Sequence, residues 1–118
     1  MDPAKLREYV EGYDRRLAAR LADRQAAAAR ALGLAPALAA ICREHGATRV
    51  RLFGSLVTGI LGETPDVDLA VDGLPPERYF DLLAALQRRA VPTEVDLVDA
   101  GARAAGLRAR IDTDGVDA

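Results

Sequence analysis

The sequence predicts an α/β (α+β) domain in which a small mixed sheet of about three strands is flanked by helices and preceded by a long N-terminal helix. Three observations predict it. Large apolar residues Leu6, Val10, Tyr13, Leu17 and Leu21 recur at steps of four, three, four and four, which is helical spacing. Beyond Gly46 the apolar period shortens to two, as a half-buried strand requires. Three such strand-like runs are then separated by helical patterns, the alternation that builds a layered sheet.

The first element runs from Asp2 to about Leu32 and is rich in Ala, Arg and Leu. Asp2 can cap the free amides and Pro3 tolerates the first helical turn. Gly33 and Pro36 are expected to break it, so residues 1–34 read as a helical extension and residues 35–118 as the domain proper. A second helix, Pro36 to His45, carries Leu38, Ile41 and Cys42 inward, and Gly46 closes it as a left-handed cap. His45 in a last helical turn suits the helix dipole, and Cys42 on an apolar face is a packing residue.

A strand over Thr48 to Phe53 buries Val50 and Leu52 and ends at Gly54. Ser55 to about Leu61 follows as a short helix, and residues 62–65 as a loop. The second strand, Asp66 to Asp72, buries Val67, Leu69 and Val71 and leaves an acidic opposite face. Gly73 and Pro75 turn the chain into an amphipathic helix, Pro76 to Arg89, with the stripe Tyr79, Leu82, Leu83 and Leu86, which Pro92 stops. A third strand, Thr93 to Val98, turns Val95 and Leu97 inward and Glu94 and Asp96 outward. A last helix covers about Ala100 to Ile111, and the tail after Thr113 is expected to be loose.

With 118 residues, half of them apolar, the chain has material for one core and little room for a large substrate-binding module. No run approaches the roughly 20 consecutive apolar residues of a membrane span, and the start lacks the pattern of a signal peptide, so the expected location is cytoplasmic. One cysteine and one histidine cannot make a Cys/His zinc site, which leaves carboxylates for any metal chemistry. Sixteen basic against eighteen acidic residues give no basic excess, which argues against direct nucleic-acid binding.

The chemistry concentrates between Leu52 and Val71, where Gly54-Ser55 is followed after ten residues by Asp66-x-Asp68. Glycine at a strand end lets backbone approach a ligand closely, and a serine opening a helix sets a hydroxyl beside amide donors that favour phosphate. A spacing of two on a strand puts Asp66 and Asp68 on one face, about 6.6 to 7 Å apart along the chain, where both can face hard cations such as magnesium. Two ions held ~3.5–4 Å apart call for a third carboxylate, and Asp96 qualifies if its strand lies beside the second one. At average residue frequencies the Gly-Ser-x10-Asp-x-Asp pattern arises by chance in about 2 of 1,000 chains this long.

These residues, from Arg49 to Val71 with Glu94-Val95-Asp96-Leu97-Val98 downstream, resemble the DNA polymerase β nucleotidyltransferase superfamily. The short length is similar to its minimal nucleotidyltransferases, the antitoxins of HEPN/MNT pairs. The resemblance covers about Pro36 to Ile111 and implies the polymerase β-like fold. It also implies nucleotide binding at Gly54 and Ser55, and catalytic and metal-binding roles for Asp66, Asp68 and Asp96. Two Mg2+ ions, ATP as substrate, and transfer of AMP to a hydroxyl of a HEPN ribonuclease toxin, a tyrosine by analogy, follow from it. Thr58 stands where such proteins often carry a basic residue, and Pro65 where they often carry a serine. A non-catalytic antitoxin that acts by binding alone is the alternative reading, and a small-molecule, aminoglycoside-type nucleotidyltransferase a third. The long N-terminal helix lies outside the resemblance and is expected to serve a partner or a homo-oligomer.

Overall fold

The computed structural model describes residues 2–59, 65–102 and 105–118. Its longest element is α1, Pro3–Glu44, one uninterrupted helix with Pro36 inside it. The expected break at Gly33 and Pro36 is therefore absent, and the two helices expected on either side of it are one. Proline removes one helical hydrogen bond and costs about 3 kcal/mol in a helix interior. The packing of Ala31, Ala35, Leu38, Ala39 and Cys42 against the sheet offsets that cost, so tertiary burial overrides a local breaker. Asp2 caps the start by accepting from the Ala4 amide. At the other end Gly46, at φ 107°, and Ala47 donate to the carbonyls of Arg43 and Cys42, the paired bonds of a left-handed helix stop.

Strands β1 (Arg49–Phe53), β2 (Val67–Asp72), β3 (Val95–Asp99) and β4 (Val116–Asp117) form one sheet in the order β3-β2-β1-β4. β1 runs antiparallel to β2, and β2 parallel to β3. A 3-10 turn, Pro76–Arg78, and α3, Tyr79–Ala90, make the crossover between β2 and β3. The second half of α1 and all of α3 lie on one face of the sheet. There Leu38, Cys42, Leu82 and Leu86 meet Val50, Leu52, Val67, Leu69, Val71, Val95 and Leu97, as the alternation in the sequence predicts. Tyr79 fastens α3 to β3 by donating its hydroxyl to the Leu97 carbonyl at 2.6 Å.

The last expected helix is a 3-10 turn, Ala100–Ala102, followed by α4, Ala105–Asp114, which covers part of the other face and buries Ile111 against Ala70, Val98 and Ala100. The tail is not loose. β4 pairs with β1, Arg49 bonds Asp117 at 2.9 Å, the Ala118 amide donates to the Val50 carbonyl at 3.0 Å, and Arg43 reaches the Ala118 carbonyl. The short helix expected from Ser55 to about Leu61 ends at Thr58, because Gly59 takes a left-handed conformation, and the loop expected at 62–65 falls mostly outside the described residues.

The molecule measures 66 × 29 × 19 Å, with a radius of gyration of 18.7 Å. A compact chain of this length would have roughly 13–14 Å. The excess is α1, about 63 Å long at 1.5 Å per residue, whose first 25 residues contribute no buried side chain. One 18-residue window of α1 has mean hydropathy 1.4, enough by length and composition for a membrane span. Its alanine-rich second half is the part that packs on the sheet.

Candidate active site

Three elements bring the singled-out residues together at one end of the sheet. β1 ends at Phe53, and the chain turns at Gly54 (φ 78°, ψ −151°) into the single helical turn α2, Ser55–Thr58. The Gly54 carbonyl accepts from the amides of Val57 and Thr58. Gly59, at φ 79°, closes the turn, again in a conformation that favours glycine. Phe53 is the antiparallel partner of Asp68, and Asp68 is the parallel partner of Asp96. The condition set for Asp96 is met: its strand is the immediate neighbour of β2.

Gly54 and Asp68 touch. A side chain at Gly54 would run into the Asp68 carboxylate, with its Cγ at 3.0 Å from an added Cβ. Glycine is thus required twice over here, by backbone conformation and by the approach of the carboxylate.

The electrostatics follow from this crowding. Asp68 is pushed up to about 6, first by burial, then by repulsion from Asp96 and from Asp66. Asp66 is half-buried, and its Oδ1 is buried with no hydrogen-bond partner among the described residues. A buried, unpaired carboxylate oxygen is costly and is normally matched by a cation or a donor. Among the described residues no three carboxylate, His or Cys side chains converge into a closed metal cage. The chemistry of the donors nevertheless suits a hard divalent ion: oxygen ligands only, like charges side by side, and one orphaned oxygen.

A cavity of about 280 Å³ opens beside the turn, lined by Phe53, Gly54, Ser55 and Thr58 and, from α4, by Arg110 and Asp114. The last two went unnoticed in the sequence, because nothing in the spacing links residue 110 to residue 55. Arg51 was missed as well. It is buried at 4% exposure on the face that α4 covers, and donates to Asp112 at 2.7 Å and to Asp72 at 3.2 Å, tying α4 to the sheet. A strand arginine among apolar residues reads as an outward charge until the helix that covers it is known.

Pro65 is buried at the mouth of β2 and also lines a cleft against α1. Cys42 and His45 stand outside the site, as expected. Burial raises the Cys42 thiol to about 11, and the His45 Nδ1 donates to the Ile41 carbonyl at 2.8 Å.

The family model for polymerase beta nucleotidyltransferases matches residues 37–116. The chain belongs to that family. Its fold is similar to that of a protein described as a minimal nucleotidyltransferase, with 31% identity, TM-score 0.58, and coverage of 69% of this chain and 85% of the other. It is also similar to a chain of a toxin-antitoxin crystallised with AMP-PNP, with 26% identity, TM-score 0.58, and coverage of 68% of each chain. A further structure, a tri-AMPylated HEPN toxin with its MNT antitoxin from Shewanella oneidensis, shares the fold at 24% identity and TM-score 0.54, with coverage of 70% of this chain and 66% of the other. No curated protein matches the chain at a significant level.

Proposed function

We propose that the protein is an antitoxin that transfers AMP from ATP to a hydroxyl, a tyrosine by analogy, of a HEPN-domain toxin. The observation that carries the reading is the meeting of the Gly54 turn with Asp68, itself paired across the sheet with Asp96. Family membership, and likeness to toxin-antitoxin proteins solved with AMP-PNP or with an AMPylated toxin, support the substrate and the partner.

Asp66 and Asp68, with help from Asp96, would hold magnesium, two ions by analogy. Bound there, the ions supply positive charge to the triphosphate and lower the pKa of an incoming hydroxyl. Gly54 leaves room for the Asp68 carboxylate to reach the turn beside which the phosphates would lie, and Ser55 offers its hydroxyl to them. Asp68 must be deprotonated to serve, and its raised pKa makes that the step a cation would drive.

The test is co-expression with a HEPN protein encoded beside this one, followed by intact and peptide mass spectrometry of the toxin. An AMP adduct on tyrosine that disappears with Asp66→Asn is the expected result. An unmodified toxin that is still neutralised, by the wild type and Asp66→Asn alike, would establish the second reading, neutralisation by binding alone. One observation favours that alternative: the exposed stripe of α1, where Leu6, Val10, Tyr13, Leu17 and Leu21 are 42–53% exposed.

A further inference from the structure

The turn that approaches the carboxylates brings no charge of its own: Gly54, Ser55 and Thr58 are neutral. The cavity beside it gets its charge from elsewhere. Among the described residues, its charged lining is Arg110 and Asp114, both from α4.

The place of Arg110 is set by its neighbours. Ile111 is fully buried under the sheet, and Asp112 is bonded to Arg51 at 2.7 Å, so this turn of α4 is pinned on two sides. The preceding residue is thereby held out of the core and against the cavity. Among the described residues no carboxylate stands within ion-pair distance of the Arg110 guanidinium. An arginine fork suits phosphate oxygens, which it can grip with two parallel hydrogen bonds. The cavity, about 280 Å³, lies just under the range of roughly 300–1,000 Å³ typical for whole small-molecule pockets. It therefore has room for part of a nucleotide rather than all of it.

We propose that Arg110 is the phosphate-gripping cation of this site, holding the β- and γ-phosphates of a nucleoside triphosphate whose α-phosphate lies toward Asp66 and Asp68. This rests on the nucleotidyltransferase reading and adds to it a residue from α4. Asp114, one helical turn on, faces the same cavity with the opposite sign. It opposes a bound polyphosphate and sets how tightly the site holds it.

Calorimetry on the full chain with magnesium tests this with three probes: ATP, AMP and inorganic tripolyphosphate. Arg110→Gln is expected to weaken ATP and tripolyphosphate by about ten-fold or more, the usual worth of a charge-assisted contact, and to leave AMP unchanged. Arg110→Lys should recover part of the loss. Unchanged ATP affinity in Arg110→Gln, or equal losses for AMP and ATP, overturns the proposal. A wild-type chain that binds no ATP overturns the nucleotidyltransferase reading with it, so the two failures are told apart. If Arg110→Gln melts early, Asp114→Asn decides: about three-fold tighter ATP binding is expected, and unchanged or weaker binding overturns the proposal.

Discussion

Gly54 stands so close to Asp68 that no side chain could be added there without displacing the carboxylate. Its φ of 78° is independently unfavourable for any other residue. Gly54→Ala should therefore lower stability by about 2 kcal/mol or more, with the strained backbone and the clash adding. ATP binding should fall with it, because the same movement disturbs the turn that lines the cavity. Chemical denaturation and calorimetry read the two effects. A Gly54→Ala protein as stable as the wild type would show that the turn relaxes freely.

Asp68 gives the pH dependence. Its pKa in the folded protein is raised to about 6, so between the ordinary carboxylate range and 6 the native state holds a proton that the unfolded chain has released. Stability from this group is therefore lost as pH rises from about 4 to about 6 and is flat above. Asp112 and Asp117 act in the opposite sense. Arg51 and Arg49 hold them below the usual range, and that contribution disappears as pH falls below about 4. Asp68→Asn should remove the slope between pH 4 and 6 and leave the acid side unchanged. Thermal melts across pH 3 to 7 measure both limbs; a slope that survives the substitution would assign it to another group.

Much of this was legible in the sequence, and the failures have a common cause. Val50, Leu52, Val67, Leu69 and Val71 sit where strict alternation puts them, since a strand with one buried face has only one register that hides its apolar set. Asp96 was conditional, because parallel neighbours are set by topology rather than by spacing, and the ladder that pairs it with Asp68 supplies the condition. Pro36 misled because its penalty is local while the packing that outweighs it, around Leu38 and Cys42, is long-range. The same distance hid Arg51 with Asp112, Arg110 beside Ser55, and the pairing of Val116 with Leu52.

Arg51 makes a separate prediction. With its side chain 5% exposed and bonded to Asp72 and Asp112, it links β1, β2 and α4. Arg51→Met should destabilise the fold by about 2–3 kcal/mol, below the 3–5 kcal/mol of a fully buried pair because both aspartates keep access to water. Denaturant titration checks the figure. Loss of ATP affinity in a variant that stays folded would show that α4 has lifted away, taking Arg110 with it.

Magnesium and ATP should each strengthen the other's binding. On the proposed reading the triphosphate would supply oxygen ligands that Asp66, Asp68 and Asp96 leave to be filled, and the ion would screen the acidic face from the nucleotide's charge. The affinity for ATP should fall by at least ten-fold in excess chelator. Equal affinities with magnesium and with chelator would remove the metal from the reading while leaving the fold assignment untouched.

The last prediction concerns the first part of α1. Residues 2–25 contribute no buried side chain, while the same helix from Ala31 onward is embedded in the core. Its stripe of Leu6, Val10, Tyr13, Leu17 and Leu21 exposes apolar surface over about four turns, more than a free helix would hold stably in water. Residues 2–14 are net acidic, with Asp2, Glu8, Glu11 and Asp14 against Lys5 and Arg7, and residues 15–25 net basic, with Arg15, Arg16, Arg20 and Arg24 against Asp23. Two such helices laid antiparallel would set opposite charges side by side, whereas a parallel pair would oppose like charges. Deleting residues 2–25 should leave a folded domain that binds magnesium-ATP and should weaken association, read by size-exclusion chromatography with light scattering, alone and with a HEPN partner. Loss of the self-complex alone would assign the stripe to a second copy, and loss of the hetero-complex alone would assign it to the toxin. An unfolded truncation would mean instead that the exposed half of α1 stabilises the core through the helix it extends.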